Sequence, residues 1–167
     1  MAQDNSAAGA IKPPFPVESV PWEPWSQGER FGGRVRKLGK SGGGSHVGVL
    51  IEELPPGRQS CPLHYHMLEE EHLLMLEGKC TLRLGDKTYD MSAGDYVCFP
   101  AGQKAGHCMV NNSAAACRYL VVGERNLNEV VVYPDSGKVL VSLTDELYRK
   151  SATMEYWDGE DTGEGKS

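Results

Sequence analysis

Two histidines flank a tyrosine at His64-Tyr65-His66. On an extended strand, residues i and i+2 point to one face, so both imidazoles turn into the same space. Glu71 follows five residues after His66, at the end of a loop able to bring its carboxylate beside them. His107 comes much further on, with Met109 and Asn111 at the same alternating parity. Three imidazoles and one carboxylate are donors that suit a divalent first-row transition ion: Fe, Mn, Ni, Zn, Co or Cu. Four protein ligands in an open arrangement leave one or two positions for water or substrate. An ion held in this way polarises an oxygen donor, acidifies water or, where redox-active, takes part in dioxygen chemistry. The site offers no nucleophile, no separate acid–base pair and no cofactor fingerprint.

Such side chains need rigid elements to position them. From residue 46 to 143 the sequence alternates short apolar segments with turn signals. The segments are 46–54, 72–76, 79–84, 88–91, 95–99, 107–111, 117–122, 129–133 and 138–143. Strands recurring at roughly 8–12 residues indicate an all-β sandwich or barrel. Pro134-Asp135-Ser136-Gly137 between two apolar runs predicts a hairpin. Met67 to Glu77 conflicts with this pattern, because it is built of good helix formers and ends at a glycine. Its neighbours favour a loop and then a strand from about residue 71.

Residues 15–45 hold Phe15, Trp22, Trp25 and Phe31 among prolines that exclude a helix interior. They are expected to form an extended arm packed on the body, with the tryptophans buried in a domain or dimer contact rather than binding a ligand. Gly39 to Ser45 superficially suggests a phosphate loop. Arg34 stands where the first glycine of that motif belongs, so a flexible hairpin loop is expected instead. Residues 124–157 are expected to carry a hairpin and an extension. Residues 1–14 and 158–167, polar and rich in small residues, are expected to be flexible.

Length and composition set the outer bounds. The 167 residues are 40% hydrophobic and 24% charged, with 20 glycines and a net charge of −6. The mass is 18.2 kDa, the pI about 5.4 and the mean hydropathy −0.43. One soluble domain is expected. An acidic chain without a basic stripe argues against nucleic acid, and no apolar run approaches the roughly 18 residues needed to span a bilayer. Five cysteines, no CxxC pair and no secretory leader indicate a cytoplasmic protein with reduced thiols. The Asn111-Asn112-Ser113 sequon is then a chance match.

The two histidine segments resemble the two motifs of the cupin superfamily. Against the first, G(X)5HXH(X)3–4E(X)6G, this sequence has Gly57, six residues, His64-Tyr65-His66, four residues, Glu71, six residues and Gly78. Against the second, G(X)5PXG(X)2H(X)3N, it has Gly94, five residues, Pro100-Ala101-Gly102, four residues, His107, three residues and Asn111. The departures are one extra residue before His64 and two before His107. Fifteen residues separate the motifs, as in compact microbial cupins, and the resemblance covers residues 46–123. The run after the barrel, with Tyr133-Pro134-Asp135, is similar to a poorly characterised bacterial branch.

The resemblance implies a double-stranded β-helix, or jelly-roll barrel, with metal ligands His64, His66, Glu71 and His107. Asn111 is implied as a supporting or structural residue, and Glu71 as a possible general base. Tyr65 and His72 are expected to point away from the metal. Cys98 and Cys108 are expected to be small buried hydrophobes, and Gln103 and Lys104 a solvated loop near the mouth. His46 has no identifiable partner. The implied function is a metal-dependent enzyme, of dioxygenase or isomerase/lyase type, acting on a small polar organic molecule. The alternatives are a non-catalytic cupin that binds a sugar or metabolite in the barrel, and a purely structural one. The apolar arm and hairpin exceed what a minimal barrel needs, so a homodimer is expected.

Overall fold

The computed structural model describes residues 11–161. The expected flexibility of residues 1–10 and 162–167 lies outside the described residues. Within it, 11–14 lack regular structure and 156–159 form a turn.

The arm is more regular than expected. Strands β1 (Glu23–Gln27) and β2 (Phe31–Arg36) form a hairpin in place of a loose extension. A helical turn, α1 (Leu38–Gly42), replaces the expected flexible loop and leads to β3 (Val47–Leu54). Gly43 ends this turn with φ +88°, and its N–H and that of Gly44 bond back to Lys40 and Gly39 carbonyls. The same glycines that read as looseness in the sequence make this left-handed cap possible.

Ten more strands follow among the described residues. They are β4 (Tyr65–His66), β5 (Glu71–Glu77), β6 (Lys79–Leu84), β7 (Lys87–Ser92), β8 (Tyr96–Phe99), β9 (His107–Val110), β10 (Cys117–Glu124), β11 (Val130–Tyr133), β12 (Lys138–Val141) and β13 (Glu146–Arg149). One six-stranded sheet runs β1-β2-β3-β10-β5-β8. The other wall consists of two strips, β7-β6-β9 and β4-β11-β12-β13. A backbone bridge between His64 and His107 joins them. All named pairings are antiparallel. The result is the all-β jelly-roll barrel.

Period-2 alternation fills the barrel. Leu73 and Met75 on β5, Cys80 and Leu82 on β6, and Cys117 and Tyr119 on β10 join Leu54, Met91, Phe99 and Met109 in one buried cluster. The helix-forming run 71–77 is therefore a strand. Its alternate leucine and methionine positions fit a sheet face between β10 and β8, and that burial outweighs a propensity preference of tenths of a kcal/mol per residue. Gly78, at φ +77°, turns the chain where an added Cβ would lie 2.9 Å from the Ala116 carbonyl oxygen.

Asn111, fully buried, closes one end of the core. Its Nδ2 donates to the carbonyls of Leu54 (2.7 Å) and Ala115 (2.8 Å), and its Oδ1 accepts from the N–H and hydroxyl of Ser113. It ties a strand end to the turn before β10 and makes none of its hydrogen bonds with an imidazole. Asn111→Ala strands the buried Leu54 carbonyl, so chemical denaturation is expected to show a loss of about 1–3 kcal/mol. Metal content per folded molecule is expected to stay unchanged.

Candidate metal centre

The His64 and His107 backbones exchange two hydrogen bonds, 3.3 Å from the His64 N–H and 2.7 Å from the His107 N–H. A directly opposed pair of this kind presents both side chains on one face. His66, two residues along, returns to that face. Ring centroids lie 4.6 Å apart for His64 and His107, 4.9 Å for His64 and His66, and 6.0 Å for His66 and His107. One ring nitrogen from each lies within 4.8 Å of the others. Glu71 opens β5 at the core-facing parity of Leu73 and Met75. Its Oε1 is 3.4 Å from His107 Nε2 and its Oε2 4.0 Å from His66 Nε2. The structure thus gathers all four residues singled out in the sequence.

Surrounding groups hold the rings. His64 Nδ1 lies 3.0 Å from the Pro62 carbonyl oxygen, which only a protonated Nδ1 satisfies, so the lone pair is left on Nε2. Phe99, the cross-strand partner of Glu71, stacks on His107 at 3.7 Å with the planes 7° apart. His66 Nδ1 faces Glu69 Oε2 at 3.5 Å and Glu129 Oε1 at 3.8 Å. Glu129, almost fully buried, also accepts from the Met67 and Leu68 N–H groups and so shapes the turn after His66. His66 Nδ1 and both ring nitrogens of His107 are buried without a hydrogen-bond partner. Orphaned buried nitrogens cost about 1–3 kcal/mol each, and a cation taking up a lone pair relieves that cost at the nitrogen it binds. These orphans, the convergence and the nitrogen–oxygen donor set fit a divalent transition ion.

The electrostatics agree. Burial, with the neighbouring His107 and His66, holds His64 down to about 4, so its ring is neutral at physiological pH. Burial alone would raise Glu71, but His107, His64 and His66 outweigh it and lower its pKa, keeping the carboxylate charged. A cavity of about 200 Å³ opens beside the cluster, lined by His64, Glu71, His107 and mainly apolar side chains.

Other expected positions divide. Tyr65 is buried away from the cavity lining. His72 turns outward, its Nδ1 2.6 Å from the Tyr96 hydroxyl and its Nε2 3.0 Å from Glu70. Cys108 is buried, but Cys98 is only half-buried, because its position opposite His72 puts it on the outer face of the sheet. Gln103 bonds within its own loop, to Ala105, and Lys104 lines a separate surface groove. His46 is exposed, and its carbonyl accepts from the Arg125 N–H. Trp22 is half-buried beneath the guanidinium groups of Arg34, Arg36 and Arg118.

Sequence reasoning missed Glu52, Glu129 and Phe99. A signal existed for Glu52, which shares the parity of Leu50 and Leu54 on β3. It is 8% exposed, lines the cavity and accepts a hydrogen bond from Tyr119, 2.9 Å from its hydroxyl. Burial pushes its pKa up to about 7, against the donors on Tyr119 and Trp25 and helped by the charge of Glu71. Glu129 precedes a strand with no pattern to mark it.

A structure from Silicibacter pomeroyi, called a sugar phosphate isomerase from a cupin superfamily, is 30% identical. It aligns with 87% of this chain and 98% of its own, at a TM-score of 0.75. The chain is a cupin. The Cupin domain family profile matches residues 50–123 of this cupin. A putative sugar phosphate isomerase from Acidithiobacillus ferrooxidans is 31% identical over 74% of this chain and 80% of its own, with a TM-score of 0.71. The quercetin 2,3-dioxygenase of Bacillus subtilis is 31% identical over 113 residues. Those residues are 65% of this cupin but only 34% of that relative, so the chain spans about a third of its length.

The raised pKa of Glu52 has a consequence with a definite sign. Between about 4.5 and 7 the folded state holds a proton that the unfolded state has released, so this group's contribution to stability falls as pH rises. Glu52→Gln removes the effect. Urea unfolding across this range is expected to show the variant gaining on the native protein by about 3 kcal/mol between pH 4.5 and 8.

Proposed function

We propose that this cupin is a metal-dependent enzyme acting on a small organic molecule, with His64, His66, Glu71 and His107 as the metal ligands. The observation that carries the reading is the convergence of three imidazole nitrogens and a charged carboxylate at a cavity, with buried His107 nitrogens that make no hydrogen bond. A divalent transition ion there supplies a Lewis acid and, if redox-active, dioxygen chemistry. The protein supplies the rest. Pro62 fixes the tautomer of His64, and Phe99 and the Glu69–Glu129 pair fix the planes of His107 and His66. Leu73, Leu82 and Val121 keep bulk water from the bound molecule. Glu71, once released from the ion, would serve as the general base and take a proton at its carboxylate from a substrate C–H or O–H group.

The oxygenase reaction is the first reading, in keeping with the name of the Bacillus subtilis relative. The isomerase/lyase reaction is the second, favoured by the names of the two structures that align over most of their length. Iron(II)-loaded protein, given a panel of diols and keto acids in an oxygen electrode, separates them. Oxygen uptake tied to substrate loss supports the first; product formation without oxygen supports the second. Glu71→Gln is expected to lower kcat by about 10²–10⁴-fold with metal content largely retained. Equal turnover in that variant would refute the base role.

The protein works in the cytoplasm, where its five free cysteines stay reduced. No helix among the described residues is long and apolar enough to cross a membrane. It pairs as a homodimer: Leu143, Leu147, Tyr156 and Trp157 leave apolar surface exposed along the C-terminal extension. Light scattering is expected to give twice the 18.2 kDa chain mass, and a monomer mass would overturn the pairing.

A further inference from the structure

Two successive glutamates on β3 meet opposite fates. Glu53 faces outward, where Arg34 and Arg118 reach its two carboxylate oxygens at 2.7 Å. Glu52 faces the cavity, and no cation pairs with it. Its hydrogen-bonded partner is Tyr119, directly opposite on β10, whose hydroxyl lies 2.9 Å from Oε2. The positions before and after it on this face, Leu50 and Leu54, are apolar. A carboxyl here weakens the barrel relative to a leucine, and a buried titratable group on a cavity wall marks a functional position.

The cavity itself limits what Glu52 can meet. Leu50, Leu73, Leu82, Phe99, Met109 and Val121 form the apolar part of its wall. A dry cavity of about 150 Å³ accommodates benzene, so one of about 200 Å³ takes a six-membered ring with one or two substituents, or a branched chain of similar bulk. No lysine or arginine is among the lining residues, whereas two carboxyls are. Lys87, Lys104 and Arg83 line a different groove.

We infer that Glu52, held by Tyr119, is the specificity-determining residue for a compact ligand with an apolar body. Such a ligand carries a hydroxyl that bonds to Glu52 and further oxygens directed toward the histidine cluster. The inference rests on the metal-centred reading and narrows its substrate class. Tyr119 donates to one carboxyl oxygen and Trp25 also donates to the group, and the remaining hydrogen-bonding capacity of the carboxyl, on the cavity wall, is open to a ligand. In its neutral form Glu52 both donates and accepts, so it rewards a hydroxyl over a methyl group of similar size.

Phenol and toluene, of equal size and shape, test the inference. Full-length protein loaded with zinc is titrated with each by NMR, beside Glu52→Gln and Glu52→Leu, with Glu52→Met in reserve should the leucine variant not fold. The native protein is expected to bind phenol at least tenfold more tightly than toluene. Glu52→Gln keeps the preference and Glu52→Leu or Glu52→Met loses it. A residue that merely secured the fold would move both affinities together. Equal binding of the two probes, no binding of phenol, or a preference that survives in the leucine or methionine variant overturns the inference. Zinc content is measured on the same samples: failure of the native protein to take up zinc defeats the metal-centred reading, whereas loss of the phenol preference in zinc-loaded protein defeats this inference alone.

Discussion

The backbone exchange between His64 and His107 is the constraint from which the rest of the site follows. It joins two strips of sheet that otherwise have separate hydrogen-bond ladders. It is also a directly opposed antiparallel pair, so joining the strips and aiming two imidazoles at one point are a single event. The alternation of the short β4 strand then delivers His66 without further instruction. Glu71 comes from the opposite sheet, from the end of a strand whose next inward residues are core. Closure of the barrel therefore brings the carboxylate to the histidines, and the cluster cannot form unless the barrel does.

This arrangement concentrates unfavourable burial in one place. His107 keeps two unpartnered nitrogens, His64 is held neutral, and Glu52 resists ionisation within the same cavity. The outer face of the six-stranded sheet, which carries Glu52, behaves differently. There Glu53 shares Arg34 and Arg118, and Arg118 also reaches Glu77. Glu52 and Glu53 are neighbours on β3, yet the outward carboxylate is paired with two arginines and the inward one with none. Packing against Leu54, Met75 and Cys117 beneath the site carries the cost of the polar layer.

How far the sequence revealed this depends on how local each signal is. The barrel strands were legible because alternation and turn glycines act over a few residues. The run 79–84 is a strand at the same limits, and Gly78 turns the chain as its position implied. The histidines were legible because their spacing matches strand geometry. The β1–β2 hairpin was hidden, since Pro24 and glycines mark an edge element whose partner, β3, is distant in sequence. The helical turn after Lys37 was masked by glycines that serve as its cap. Glu52 left a faint trace, a charged residue at a core parity, which an adjacent glutamate obscured. Glu129 left none, because its role depends on a pairing between β11 and β4 across more than sixty residues.

That last pairing alters how the C-terminal extension should be regarded. Val131 and Val132 on β11 pair with His66 and Tyr65, and these two residues are the whole of β4. A two-residue strand has little stability of its own. One side of it is held by the bridge to β9 and the other by β11, while Glu129 binds the N–H groups that follow. The hairpin beyond the second histidine motif is therefore no appendage to a finished barrel. It is the outer splint of the strand that carries His66, and the orientation of that ring depends on residues lying outside both motifs.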